Sequence, residues 1–98
     1  MTLNKSTEDG KVLIAVEGRV DTTTSAELGD MLNTAVDETD EITLDMEKLV
    51  YISSAGLRVL LTAHKAMSKK GGFLLLKNVN PDIYEIFEIT GFANILNI

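Results

Sequence analysis

The alternation of apolar and polar positions switches between a strand's period of two and a helix's period near 3.6, and the switches divide the chain into elements. Residues 2–6 are a weak strand candidate, and the Asp-Gly pair of Glu8-Asp9-Gly10 signals a turn between extended segments. An opening hairpin is expected. Val12-Leu13-Ile14-Ala15-Val16 is apolar throughout and rich in β-branched residues, as in a strand buried on both faces; Gly18 is expected to break it. Leu28, Met31, Leu32, Ala35 and Val36 then follow the i, i+3, i+4, i+7, i+8 stripe of an amphipathic helix, and Thr24 and Glu27 have the T-x-x-E spacing of a capping box at its start. Glu41 to Met46 alternates, which predicts a strand with one face at least partly exposed.

Helical spacing returns through Leu57, Leu60, Leu61, His64 and Met67. Gly71-Gly72 predicts a turn, and Phe73-Leu74-Leu75-Leu76 a fourth strand buried on both sides. Asn80-Pro81 reads as the cap and first position of a last helix with Ile83, Ile86 and Phe87 inward, closing at Gly91. Phe92 to Ile98 is an apolar tail, expected as a short final strand or a docked segment.

The order is hairpin, helix, strand, helix, strand, helix, tail. Two helical crossovers imply parallel pairing of the second, third and fourth strands, with right-handed connections. The expected fold class is α/β: one domain over residues 1–98, with a mixed sheet of four to five strands, an N-terminal hairpin, parallel central strands and three main helices. Sites in such a sheet gather outside the carboxyl ends of the strands. The loops expected there carry Asp21 and Thr22, then Ser53 and Ser54, then Asn78 to Pro81. A serine at a strand-to-helix junction has a plain structural use, because it caps free N–H groups.

Composition narrows the function. Ninety-eight residues with 45% hydrophobic and 24% charged side chains describe an ordinary globular domain, and the absence of cysteine excludes disulfides, thiol catalysis and thiolate-bound metals. The net charge of −6 is uneven: residues 1–47 hold twelve acids against three bases, and residues 48–98 three acids against six bases. That asymmetry favours a partner with a basic patch. Nucleic acid is a poor candidate, since Lys69-Lys70 is the only adjacent basic pair. No segment has the apolar length of a signal peptide or membrane span, so a soluble cytoplasmic protein is expected. No His/Asp/Glu cluster has metal spacing, and Gly71-Gly72 lacks the Lys and Ser/Thr of a phosphate loop, so neither metal nor cofactor is expected.

A hydrolase reading with Ser54 as nucleophile and His64 as base fails on distance. Ten residues along one helix rise about 15 Å, beyond hydrogen-bond reach. A nucleophile elbow would also need glycine where the chain has Ile52. No enzymatic activity is expected.

Gly18-x-Val20-Asp21 after a strand, Leu44-Asp45 with Leu49, and Ser53-Ser54-Ala55-Gly56-Leu57-Arg58-Val59-Leu60-Leu61 together resemble the STAS domain, specifically the stand-alone bacterial anti-sigma factor antagonists. The similarity covers nearly the whole chain. It implies a phospho-switchable regulator that binds an anti-sigma factor with serine kinase activity when unphosphorylated, is released when Ser54 is phosphorylated, and is restored by a serine phosphatase. By the same resemblance Asp21 stands in the loop beside the phosphosite; Thr22, Ser53 and Asp45 are expected around it as well, Gly56, Leu57 and Arg58 at the partner-binding surface, and the free protein as a monomer. Two positions depart from the commonest pattern: Ser53 stands for an aspartate and Ala55 for a second hydroxyl. Gly56 has two readings, close approach of a partner or helix–strand packing. A scaffold subunit of another signalling complex, or a small-ligand or nucleotide sensor using the same edge, are the alternatives.

Overall fold

The computed structural model describes residues 1–98. The elements are β1 (Thr2–Glu8), β2 (Lys11–Val20), α1 (Ser25–Glu38), β3 (Glu41–Asp45), β4 (Leu49–Ile52), α2 (Ser54–Lys69), β5 (Phe73–Lys77) and α3 (Pro81–Thr90), followed by a 3₁₀ turn at Phe92–Asn94. The opening hairpin forms around Asp9 and Gly10, both with positive φ (53° and 78°), the left-handed pair that a tight hairpin turn requires. β1 pairs antiparallel with β2; β2 with β3 and β3 with β5 pair parallel, giving the order β1-β2-β3-β5.

Gly18 bends β2 instead of ending it. Its φ of +88° accompanies a register shift between Gly18 and Arg19, and the strand runs on to Val20. The bend divides the sheet. Val12 to Ala15 pair with β3, whereas Gly18 to Val20 pair with β4. β4 carries no periodic signal that marks it as a strand: of its four residues Leu49 and Ile52 face inward and Val50 and Tyr51 outward.

One face of the sheet carries the core. Val12, Ile14 and Val16 of β2, Ile42 and Leu44 of β3, and Leu74 and Leu76 of β5 are buried against Leu28, Leu32 and Ala35 of α1, Leu57, Leu60, Ala63 and Met67 of α2, and Ile83 and Phe87 of α3. Each large side chain contributes about 1.5–3 kcal/mol by leaving water. Leu61 and His64 lie at the margin of the α2 stripe, only partly buried. The opposite face is open, which corrects two expectations of two-sided burial. Leu13 in β2 is 36% exposed, and Phe73 and Leu75 in β5 are 42% and 36% exposed. Apolar character along a strand therefore does not distinguish a covered face from a bare one here.

The last helix forms as its signals predict. Asn80 Oδ1 accepts the Ile83 N–H at 2.9 Å, Pro81 occupies the first position and Gly91 closes the helix. The tail docks against β5: Leu96 is buried and the Leu76 N–H donates to the Asn97 carbonyl at 2.8 Å.

Candidate functional site

Ser53 and Ser54 stand where β4 meets α2, and the structure treats them differently. Ser53 has extended backbone (φ −85°, ψ 171°) and caps the helix: its Oγ accepts the Gly56 N–H at 3.2 Å. Its own N–H donates to the Val20 carbonyl at 2.8 Å, and its carbonyl accepts the Leu57 N–H at 2.9 Å. These bonds fix Ser53 in place. Ser54 is the first residue of α2 and is exposed.

The bond from Ser53 to Val20 joins this junction to the end of β2, where the Asp21 loop begins. Asp21 Oδ1 accepts from the Thr23 N–H at 2.9 Å, the Thr23 hydroxyl at 2.7 Å and the Thr24 N–H at 3.0 Å. Thr24 Oγ1 accepts the Asp21 N–H at 2.9 Å and lies 3.1 Å from both the Arg19 carbonyl and Asp21 Oδ1, between which it shares its single proton. Thr24 is thus committed to the loop. The capping box expected with Glu27 does not form, because Thr24 already has helical backbone (φ −96°, ψ −17°) and makes no side-chain cap. Thr22 is exposed at the turn, its carbonyl accepting from the Ser25 hydroxyl at 3.4 Å.

The Thr23 hydroxyl first, and then the Thr24 N–H, lower the Asp21 carboxyl from 3.8 to about 2. A depressed carboxylate stabilises the fold above its ordinary titration range, and that contribution is lost as pH falls through the folded value. Acid titration followed at the Asp21 carboxyl carbon by NMR is therefore expected to show a midpoint near 2, with Thr23 and Thr24 amide shifts moving together. A midpoint near 3.8 would contradict the loop geometry.

Asp45 does not join this group. It ends β3 at the register of Ala15, whereas Ile52, just before Ser53, pairs with Val20. Five residues of strand separate the two registers, roughly 16 Å at strand rise. Asp45 instead accepts from Asn78 Nδ2 at 3.0 Å and the Glu47 N–H at 3.1 Å, and chiefly the Asn78 bond lowers its pKa. Asn78, expected at the same edge as Ser54, sits with Asp45. The divided sheet is the physical reason: β3 and β4 extend different halves of β2.

The expected docking surface is also corrected. Gly56 is buried, and a Cβ there would lie 2.7 Å from both Ile52 Cγ1 and Val20 Cγ1, so its role is close packing of α2 on β2 and β4. Leu57 is 4% exposed and belongs to the core. Only Arg58 of the three reaches the surface. It borders a groove of about 220 Å³ between α1 and α2 that Gly29, Asn33, Ala55, Val59 and Thr62 complete. A further pair was not foreseen: Arg19 of β2 stacks on Tyr51 of β4, its guanidinium carbon 4.3 Å from the ring centroid. The two are register partners 32 positions apart in sequence, and only the pairing of β2 with β4 brings them together.

The Ser54 hydroxyl and the partly buried His64 lie on one continuous helix, about 15 Å apart along its axis. No helix is long and apolar enough to cross a membrane.

Comparison with known proteins agrees with this fold. BtrV of Bordetella bronchiseptica, named as an anti-sigma factor antagonist, is 36% identical over 97% of this chain and 83% of its own length. The anti-sigma F factor antagonist of Paenibacillus polymyxa is 28% identical over 91% and 78% of the two chains. Among solved structures, the anti-sigma factor antagonist SpoIIAA of Bacillus superposes in its unphosphorylated form with a TM-score of 0.77 at 19% identity, covering 89% of this chain and 82% of its own. Its phosphorylated form gives 0.78 at 19%, over 95% and 86%. All three are named as anti-sigma factor antagonists. The STAS domain model matches residues 2–98, and the chain belongs to the STAS domain family.

Proposed function

We propose that this protein is an anti-sigma factor antagonist whose binding is switched by phosphorylation of Ser54. Its partner is an anti-sigma factor with serine kinase activity, which it binds when unmodified, freeing a sigma factor; a serine phosphatase reverses the modification. The observation that carries the reading is the division of labour at the junction: Ser53 is held as a cap, while Ser54 is exposed at the start of α2. The names of the relatives and the two recorded forms of SpoIIAA support it.

In the modification the Ser54 hydroxyl oxygen attacks the γ-phosphorus of ATP. The bond to the β,γ-bridging oxygen breaks, ADP leaves and the hydroxyl proton passes to a base on the kinase. The product carries about −1.5 to −2 charges beside a loop whose Asp21 is ionised at neutral pH. Helix-start N–H groups tolerate that charge, so the fold survives and the cost falls on the complex.

The test is a competition. Unmodified protein titrated into an anti-sigma factor–sigma factor complex is expected to release the sigma factor. Absence of release, together with absence of binding to the anti-sigma factor, would sink the reading.

A further inference from the structure

Arg58 follows Ser54 by one helical turn, the spacing at which side chains on a helix surface meet, with Cβ atoms about 5–6 Å apart. At about 100° per residue, Arg58 lies on the α2 surface between Ser54 and the groove against α1. It is the cation nearest to Ser54 on α2, the next being Lys65. α2 contains no acidic residue, and Arg58 takes part in none of the four ion pairs, which join Lys5 to Glu38, Lys11 to Glu41, Lys48 to Glu17 and Lys70 to Asp40. Gly29 and Asn33, which α1 contributes to the groove, are uncharged. The guanidinium is exposed, unpaired and one turn from the acceptor hydroxyl.

We propose that a phosphate on Ser54 captures Arg58 within the same molecule, so that modification both adds negative charge and withdraws a cation from the rim of the α1–α2 groove. A guanidinium suits this role because its planar fork gives two parallel N–H···O bonds to a phosphate. Before modification Arg58 is free to meet a carboxylate of the partner; afterwards it is engaged at home. The inference rests on the reading of Ser54 as the acceptor but does not depend on which kinase acts.

Phosphoserine encoded genetically at position 54 allows a test without any partner. Phosphorus NMR titration follows the second ionisation of the phosphate, which lies near pH 6 when unperturbed. The midpoint in the otherwise native chain is expected several tenths of a unit below that of Arg58→Gln, with Arg58→Lys recovering part of the difference, since it keeps the charge and loses the fork. Arg19→Gln is the control, because Arg19 stacks on Tyr51; it is expected to leave the midpoint unchanged. Equal midpoints in the native chain and Arg58→Gln would overturn the inference, as would a shift with Arg19→Gln alone. Failure of a kinase to modify Ser54 would overturn the functional reading and leave this titration unaffected, so the two failures are distinguishable.

Discussion

Ser54→Asp is expected to weaken binding to the anti-sigma factor at least tenfold, about 1.4 kcal/mol, while Ser54→Ala keeps affinity close to that of the native chain. The carboxylate would stand at the first position of α2, joined through the Ser53–Val20 bond to the loop carrying ionised Asp21. A partner closing over this edge would have to desolvate both charges, and mutual repulsion with any acidic group it presents adds to the loss. Aspartate carries less charge than phosphate, so the variant sets a lower bound on the effect of modification. Stability should move the other way. The first turn of α2 has no acidic residue, and a carboxylate at a helix start contributes about 0.3–1 kcal/mol. Calorimetric titration paired with chemical denaturation reads both: weaker binding with equal or greater stability supports a charge switch, and unchanged affinity removes it.

Gly56→Ala is expected to destabilise the fold by about 1–2 kcal/mol and to disturb the junction. The added methyl would lie 2.7 Å from Val20 Cγ1 and Ile52 Cγ1, which belong to the register pair joining β2 to β4. Both residues are β-branched and stiff at χ1, so relief requires the start of α2 to rise or the strands to shift. Overpacking of this kind costs about 1–3 kcal/mol, whereas the gain in helix propensity from glycine to alanine is at most about 1 kcal/mol. Packing wins. A drop in denaturation midpoint with an unchanged denaturant slope is the expected observation; a rise in midpoint would show that α2 does not sit this close. Because the Gly56 N–H donates to Ser53 Oγ and Ser54 lies two positions upstream, the same variant should shift the amide resonances of both serines.

The sequence made the local punctuation legible. Asp9-Gly10 marked the hairpin, Asn80-Pro81 and Gly91 bounded α3, and the stripe from Leu28 to Val36 marked the inner face of α1, because each signal is a nearest-neighbour property. What escaped depends on contacts distant in the chain. β4 exists because β2 bends at Gly18 and offers a second segment to pair with, and nothing within Leu49 to Ile52 announces that. Asp45 is expected near the serines, which it precedes by eight and nine positions, yet the divided sheet carries it away. Leu13, Phe73 and Leu75 read as buried because composition cannot show that the second face of the sheet lacks helices. Thr24 and Glu27 have the spacing of a capping box, but Asp21 takes the Thr24 hydroxyl first. Only the family resemblance separates the two serines in the sequence; in the structure one hydroxyl is engaged and the other exposed.

The central claim, that Ser54 and not Ser53 carries the signal, is tested most directly by incubating the protein with its anti-sigma factor and ATP and mapping the phosphate by mass spectrometry. One phosphate per chain is expected, on Ser54, and none on the Ser54→Ala variant. Phosphate on Ser53 alone would contradict it.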